Sequence, residues 1–343
     1  MRRIEPAVVW YNSGLSDLYH CARLVHEGAS GRILVVASHT DPAAPILQAA
    51  DTAIIEPPRG TGSADYVQWA LEVCRTHDVG LFIPSRHVKA IAKERDAFSA
   101  QGVYVQAPSV QVQTTLAHKD VFYLDVEEQG LALPEYRVVR NLAQFDEAYS
   151  DLRERHRRLC VKPTVGIFGS GFRILNENLD DYDALLRTEC MHMSVRAYRD
   201  ALRHTRLPFE LMVMQYLEGA ERSVDCLAVR GQLVAAVSRR KEGRRQLLES
   251  SGAVIDAARP LVERYGLDGI VNIQFKDAGG LAHLLEINAR AAGGLMYSCM
   301  CGLNLPYWSA ALTLGLAGEW EVPKMRPDMA VLPVRGAIKV ELA

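Results

Sequence analysis

The N-terminal third of the chain alternates short apolar runs with amphipathic helical patterns. The runs Ala7–Tyr11 and Ile33–Ala37 are apolar throughout, as in strands that are buried on both faces. Asp17–His26 and Ala64–His77 instead repeat their apolar residues at helical spacing. Parallel strands need a crossover connection, so strands that alternate with helices favour a parallel sheet. This part of the chain is therefore predicted to be an α/β domain.

The turn after the first strand bears on which cofactor this sheet can bind. It reads Asn12-Ser13-Gly14 and lacks the Gly-x-Gly-x-x-Gly fingerprint of nicotinamide-binding domains. A nicotinamide-dependent oxidoreductase is an alternative that rests on the parallel sheet alone. Further elements are predicted at Thr52–Ile55, Leu81–Ile83, Val88–Ala100 and Val103–Val105.

The composition is that of an ordinary globular protein, with 49% hydrophobic and 23% charged residues over 343 positions. The formal net charge of -2 provides no overall attraction to nucleic acid or to an anionic membrane. The 7 cysteines are scattered without a zinc-like CxxC pair, which favours a reducing compartment. We therefore expect a cytoplasmic protein of two or three domains, with no nucleic-acid or membrane partner.

Two short strands near the C-terminus carry side chains that suit a metal ion. The runs are Val271–Lys276 and Leu281–Ile287, with turn residues between them. Three oxygen-bearing side chains lie on or next to these runs: Gln274, Glu286 and Asn288. Residues two apart on a strand share a face, so the last two point the same way. With Arg290 and a glycine turn behind it, this pattern favours a magnesium-phosphate site over simple packing.

A glycine-rich segment follows a strand that ends near Lys162. Its small residues allow backbone N–H groups to approach an anion closely: Gly166, Gly169, Ser170 and Gly171. The segment is not a Walker A loop, because it leads into a strand and contains no Gly-Lys-Ser/Thr. Taken alone, it is more typical of an ordinary hairpin turn.

A third segment runs from a strand into a Glu-Gly turn. Its strand end is Gln215-Tyr216-Leu217, and Glu221 follows the turn. Such a strand end can offer backbone groups to a flat base, and the carboxylate can accept ribose hydroxyls. An ordinary strand connection is the alternative for this segment alone.

The order and spacing of these segments, with Lys119 before them, resemble the ATP-grasp superfamily of carboxylate-amine ligases and their relatives. The resemblance covers almost the whole chain. It implies an ATP-grasp fold, α/β overall and α+β in the ATP-binding part, preceded by a parallel-sheet domain. The boundaries that follow are 1–110 for the N-terminal domain, 111–214 for the central subdomain and 215–343 for the C-terminal subdomain.

The resemblance implies a role for each segment. Lys119 and Lys162 would contact the phosphates of ATP, and the glycine segment Gly166–Gly171 would close over them. Gln215, Tyr216 and Leu217 would line the adenine site, and Glu221 would hold the ribose. The magnesium ligands would be Gln274, Glu286 and Asn288, with Glu286 bridging two ions and Mn²⁺ as the alternative metal. The catalytic residues would be Arg290, Lys162 and Arg239.

Gln274 departs from the pattern of many relatives, which carry an acidic residue at this position. Glu286 is then the only carboxylate in the predicted metal set. The Gln-Glu-Asn-Arg combination looks most like the ATP-binding halves of carbamoyl phosphate synthetase. Metal affinity without nucleotide is expected to be weak, because ATP oxygens would supply much of the coordination.

The resemblance implies an ADP-forming ligase that activates a carboxylate as an acyl phosphate and couples it to an amine, as in an amino acid. Activation of bicarbonate, or ATP binding without catalysis in a regulator, are the alternatives. The identity of the acid and the amine is left open, and so is the oligomeric state, although homodimers are common among relatives.

Overall fold

We describe the protein from a computed structural model that covers residues 6–14, 17–166, 169–186, 191–326, 329–334 and 337. In chain order, the strands of these residues are β1 (Ala7–Tyr11), β2 (Ile33–His39), β3 (Thr52–Ile55), β4 (Leu81–Ile83), β5 (Tyr104–Val105), β6 (Tyr136–Val139), β7 (Leu159–Pro163), β8 (Arg173–Asn176), β9 (His192–Ser194), β10 (Leu211–Gln215), β11 (Glu221–Val229), β12 (Gln232–Glu242), β13 (Arg245–Glu249), β14 (Gly269–Ala278), β15 (Leu281–Asn288) and β16 (Met329–Val331).

The helices of the same residues are α1 (Leu18–Ala29), α2 (Ser63–Thr76), α3 (Val88–Lys93), α4 (Arg95–Ser99), α5 (Val110–Ala117), α6 (Lys119–Glu127), α7 (Leu142–Arg155), α8 (Asp181–Leu186), α9 (Val195–His204), α10 (Ala253–Arg264), α11 (Leu295–Cys299) and α12 (Leu305–Thr313). Within the described part of the chain, none of these helices is long and apolar enough to cross a membrane.

The chain divides into two compact units. Unit 1 contains residues 1–113, 221–274 and 287–343, and unit 2 contains residues 114–220 and 275–286. The three-part division predicted from the sequence stays a prediction.

Unit 1 contains a parallel sheet of strand order β3-β2-β1-β4-β5. The predicted parallel sheet is thus confirmed. Its central strand β1 is buried on both faces: Trp10 of β1 stacks on Phe82 of β4 with ring centroids 3.9 Å apart. On the other face α1 packs against α12, where a Cβ on Gly28 would lie 2.4 Å from the Tyr307 ring. Glycine at this position therefore allows the two helices to approach closely.

Unit 2 is built on a five-stranded sheet of order β6-β10-β7-β8-β9. β10 lies between β6 and β7 and is antiparallel to both, pairing Met212 with Lys162. Helices α7 and α9 supply apolar residues to the core of this sheet, including Phe145 and Leu152. This core fixes the position of Lys162, which β7 carries.

A third sheet has the strand order β15-β14-β11-β12-β13-β16. β14 and β15 are consecutive neighbours at its edge, joined at Gly279 and Gly280, which both have positive φ. These two strands carry the predicted metal ligands.

Candidate active site

A cavity of about 650 Å³ lies in unit 2. Three segments line it: Arg155–Arg158, Gln215–Gly219 and Asp277–Gly280. Its wall is held by backbone pairing, since the Gln215 N–H donates to the Glu135 carbonyl over 2.8 Å and the Tyr216 N–H to the Arg158 carbonyl over 3.0 Å. The predicted adenine-binding residues Gln215, Tyr216 and Leu217 therefore all line one cavity.

Gly219 allows two segments of this cavity wall to meet. Its N–H donates to the Asp277 carbonyl over 3.0 Å, and Asp277 donates in turn to the Ala220 carbonyl over 2.9 Å. A Cβ on Gly219 would lie 2.1 Å from the Asp277 carbonyl oxygen, far inside van der Waals contact. Beside this contact, Lys276 places its Nζ 4.7 Å from the centroid of the Tyr216 ring. The wall thus combines main-chain groups with one aromatic face.

Lys119 is the first residue of α6 and is only 9% exposed. Its Nζ donates to the Gly166 carbonyl over 2.8 Å, and its N–H donates to the Thr164 carbonyl over 2.9 Å. Burial lowers the pKa of Lys119, and the carboxylate of Glu286 partly opposes this shift. Lys119 therefore holds the start of the glycine segment while lying in the field of the predicted metal ligand.

Lys162 lies on β7, and its pKa, like that of Lys119, depends on burial and on the charge of Glu286. Burial lowers its pKa to about 8; the Glu286 carboxylate raises that pKa and the Lys119 ammonium lowers it further. The charges of Glu286 and Lys119 are thus close enough to act on the pKa of Lys162. A cluster of this kind is typical of a functional site.

The glycine segment has backbone conformations that need glycine. Gly169 and Gly171 have φ of 66° and 75°, in the left-handed region. A Cβ on Gly171 would also lie 2.7 Å from Cγ of Pro163, at the end of β7. Ser170 is exposed between them. Residues 167–168 of the predicted segment lie outside the described residues.

The predicted metal ligands lie on neighbouring strands, Gln274 on β14 and Glu286 and Asn288 on β15. Gln274 donates through Nε2 to Asn272 Oδ1 over 3.3 Å, so its own Oε1 is not used in that bond. Within the described residues no group of three or more His, Cys, Asp or Glu side chains could hold a metal ion. One carboxylate with two amide oxygens is a donor set that fits Mg²⁺, which prefers oxygen and retains ligands from water or phosphate.

Arg290 forms a hydrogen bond with Asn288, one of the predicted metal ligands. Its Nη2 donates to Asn288 Oδ1 over 3.3 Å and its Nη1 donates to the Ala291 carbonyl over 3.0 Å. The arginine therefore orients the side-chain amide of Asn288.

Arg239, predicted to be catalytic, is buried and bonded through three of its nitrogens. Nε donates to Asp225 over 2.8 Å, Nη1 to Gln246 over 2.9 Å and Nη2 to Ser223 over 3.0 Å. A Cβ on Gly294 would lie 2.3 Å from Nη1, so glycine makes room for the guanidinium. The structure gives Arg239 a structural ion pair, and its catalytic role stays a prediction.

One further predicted residue and two segments that were not predicted belong to the candidate site. Glu221 begins β11 and is exposed, and its contact with a ribose stays a prediction. The sequence did not indicate that two further segments, Arg155–Arg158 and Asp277–Gly280, line the unit 2 cavity. The second of these carries a recognisable turn signal, but only the fold shows that the turn lines a cavity.

Comparison with known proteins agrees with this geometry. A protein-family model described as "ATP-grasp in the biosynthetic pathway with Ter operon" matches residues 208–337. The chain has the ATP-grasp fold. The ATP-grasp fold predicted from the sequence is therefore confirmed. No curated protein sequence is significantly similar to this chain.

Solved structures show the same fold over most of their length. An N5-carboxyaminoimidazole synthetase from Staphylococcus aureus, complexed with ADP, is 11% identical with a TM-score of 0.66, covering 95% of this chain and 81% of that one. An L-amino acid ligase from Bacillus licheniformis is 13% identical with a TM-score of 0.61, over 97% and 81%. A biotin carboxylase complex from Campylobacter jejuni is 14% identical with a TM-score of 0.61, over 96% and 74%. At these identities the likeness shows the fold alone.

Proposed function

We propose that this ATP-grasp protein is an ATP-dependent, ADP-forming ligase that activates a carboxylate and couples it to an amine. The observation that carries the proposal is the grouping of two lysines with one carboxylate: the charge of Glu286 acts on both the buried Lys119 and the partly buried Lys162. Phosphoryl transfer needs charge neutralisation and positioning more than covalent help from the protein. Buried cations beside a potential metal ligand supply that environment.

In this proposal some of the site residues bind ATP and others stabilise the charge that develops during phosphoryl transfer. Lys119 and Lys162 would bind the phosphates of ATP, and the unit 2 cavity would take the base against Gln215, Tyr216 and Leu217. Glu221 would accept the ribose hydroxyls. Magnesium, held by Gln274, Glu286 and Asn288, would supply further neutralisation of phosphate charge. Arg290 would stabilise the charge that develops on the transferring group.

The reaction balances in two steps. A carboxylate oxygen of the acid attacks the γ-phosphorus, the bond from that phosphorus to the β-γ bridging oxygen breaks, and ADP leaves. The amine nitrogen then attacks the acyl carbon, the C–N bond forms and the carbon-oxygen bond to phosphate breaks. Phosphate leaves with an oxygen that came from the acid, and the amine loses one proton.

That oxygen transfer provides the test. The protein is incubated with ATP, Mg²⁺ and a panel of amino acids and small acids labelled with ¹⁸O in the carboxylate. We expect ADP release that depends on both an acid and an amine, together with ¹⁸O in the phosphate. Release of AMP and pyrophosphate, or phosphate without label, would contradict the proposal.

The variant Glu286→Gln tests the role of the carboxylate, because it removes the charge while keeping the size of the side chain. It should lose ADP release while retaining the circular dichroism spectrum of the wild type. An active Glu286→Gln protein would remove this carboxylate from the proposed site.

Bicarbonate is the second candidate substrate, since the Gln274, Glu286 and Asn288 set looks like that of carbamoyl phosphate synthetase. One solved structure of this fold, a biotin carboxylase domain dimer, contains MgADP and a bicarbonate anion. ATP hydrolysis that rises with bicarbonate in the absence of any organic acid would favour this candidate. Tight ATP binding without turnover on any substrate would instead favour a non-catalytic regulator.

A further inference from the structure

A second cavity, of about 370 Å³, lies within unit 1. It forms where α4, β5 and the loops around β11 and α10 meet. Its polar lining consists of Arg95, Ser99, Tyr104, Ser109, Arg230, Tyr265 and Asp268. The proposed ligase chemistry uses none of these residues.

The cavity wall includes a strained turn that carries a cationic side chain. Arg230 and Gly231 join β11 to β12, and both have positive φ, 50° and 82°. This is the two-residue hairpin turn that normally selects Asn-Gly or Asp-Gly, because arginine is disfavoured in the left-handed region. A residue held in an unfavourable conformation is a reason to look for a function of its side chain.

Asp268 stabilises this turn and is itself engaged. Its Oδ1 accepts from the Arg230 N–H over 2.9 Å, and its Oδ2 accepts from the Tyr104 hydroxyl over 2.6 Å. Burial raises the pKa of Tyr104 to about 12, and the charges of Arg230 and Arg95 partly oppose the rise. Both guanidinium groups therefore act on the same phenol, and two cations face one carboxylate around the cavity.

Arg95 contributes a donor that lacks a protein acceptor. Its Nη2 donates to the Ala107 carbonyl. Its Nε is buried and has no hydrogen-bond partner among the residues that the structure describes. Buried donors in folded proteins are nearly always paired. The protein therefore compensates the charge of Arg95 only in part, which favours an anion beside the exposed part of its guanidinium group.

We propose that the unit 1 cavity is a binding site for a small anion that carries a carboxylate or phosphate group. Arg95 and Arg230 bind its charged oxygens, and the hydroxyls of Ser99 and Ser109 orient its polar remainder. The volume suits a molecule of metabolite size. Because all lining residues belong to unit 1, the site is built from different residues than the unit 2 cavity, which is lined by unit 2 alone.

Hydrogen–deuterium exchange on the full chain tests the location of binding. Inorganic phosphate and citrate serve as probes at about 10 mM, a concentration that detects millimolar affinity. We expect slower exchange in peptides that cover residues 95–109 and 228–232. Protection by phosphate alone would identify the ligand as a phosphate ester, and protection by citrate alone would identify it as a carboxylate. Protection by both supports an anion site of broad specificity.

Two variants test the residues, with dissociation constants from isothermal titration calorimetry. Arg230→Asn keeps a residue that tolerates the left-handed turn, and Arg95→Gln keeps a neutral donor of similar reach. Each should weaken probe binding by about tenfold or more, because a charged hydrogen bond is lost. Arg59→Gln, at an exposed arginine of unit 1, is the matched control and should bind as the wild type does.

Three results would overturn the proposal: no protection by either probe, protection confined to peptides 211–219 of the unit 2 cavity, or unchanged affinity in both variants. None of these readouts depends on ATP turnover. Failure of the ligase proposal and failure of the anion site can therefore be told apart.

Discussion

The ammonium nitrogen of Lys162 lies 3.4 Å from the hydroxyl oxygen of Tyr123 and 5.0 Å from the centroid of its ring. Tyr123 is fully buried, and its hydroxyl donates to the Leu285 carbonyl over 3.1 Å. The lysine is thus held beside an apolar ring and a neutral phenol, next to the strand that carries Glu286. Such surroundings stabilise a charged amine less well than water does, in agreement with its lowered pKa.

Nucleotide affinity should fall as Lys162 loses its proton. Its pKa in the free protein is about 8, so the side chain is mostly charged at pH 7 and mostly neutral at pH 9. Phosphate binding favours the charged form, and ADP affinity should drop by about tenfold between these two pH values. Calorimetric titration with ADP across this range measures the effect. Lys162→Arg stays charged and should flatten the profile; an equally steep profile in that variant would assign the titration to another group.

Glu286→Gln should change both turnover and this pH profile. The carboxylate raises the pKa of Lys162, so its removal should shift the midpoint of ADP binding to lower pH. Binding is measured without Mg²⁺, so that metal coordination does not contribute. With Mg²⁺ present, ADP release should fall by about a hundredfold or more, since even loss of an outer-shell partner costs up to about that factor. Glu263→Gln, an exposed carboxylate on α10, is the control and should leave both measurements unchanged.

Gly219→Ala should destabilise the wall of the unit 2 cavity. The added methyl would meet the Asp277 carbonyl oxygen at 2.1 Å. The hydrogen bond from the Gly219 N–H to that carbonyl would therefore have to lengthen. Overpacking of this kind costs about 1–3 kcal/mol of unfolding free energy, measured by urea denaturation. Gly60→Ala meets no atom within 4 Å and should cost far less. Equal losses in the two variants would show that the close approach at Gly219 is not what requires glycine.

Asp225→Asn should be strongly destabilising because it leaves Arg239 charged and buried. Asp225 is fully buried and also accepts from Ser298 over 2.5 Å and from Asn272 over 2.7 Å. Removing one partner of a buried pair costs about 3–5 kcal/mol, again from urea denaturation. The double change Asp225→Leu with Arg239→Met should cost less than the single one. Glu27→Gln, which breaks the exposed pair with Arg23, should cost under about 1 kcal/mol.

Much of the fold followed from local pattern. The parallel sheet was predictable because its strands are apolar on both faces and separated by helices. The helix predicted over Val88–Ala100 is wrong in one respect, since the structure divides it into α3 and α4 at Glu94. Glu94 adopts φ -97° and ψ 23°, with its N–H shared between the Ala90 and Ile91 carbonyls. No glycine or proline marks this break, so periodicity could not reveal it.

The candidate site was predictable in its residue types and only partly in its arrangement. Lys119, Lys162 and Glu286 were identified from their order along the chain, and the structure groups them. The ion pair of Arg239 could not be predicted, because its partner Asp225 is 14 residues away on another strand. Pairing across a sheet depends on register, which a single sequence does not display.

Hydrogen bonds between main-chain groups hold the wall of the unit 2 cavity together: Gln215 with Glu135, Tyr216 with Arg158, Gly219 with Asp277. Every residue except proline offers the same N–H and carbonyl, so most positions in this wall can change identity while these bonds are kept. Three glycines of the wall are restricted: Gly219 by its close approach to Asp277, and Gly279 and Gly280 by their positive φ. Pairing through the main chain is invisible to a comparison of side chains. Proteins that agree at 11–14% of positions can therefore keep one fold while their sequences diverge almost completely.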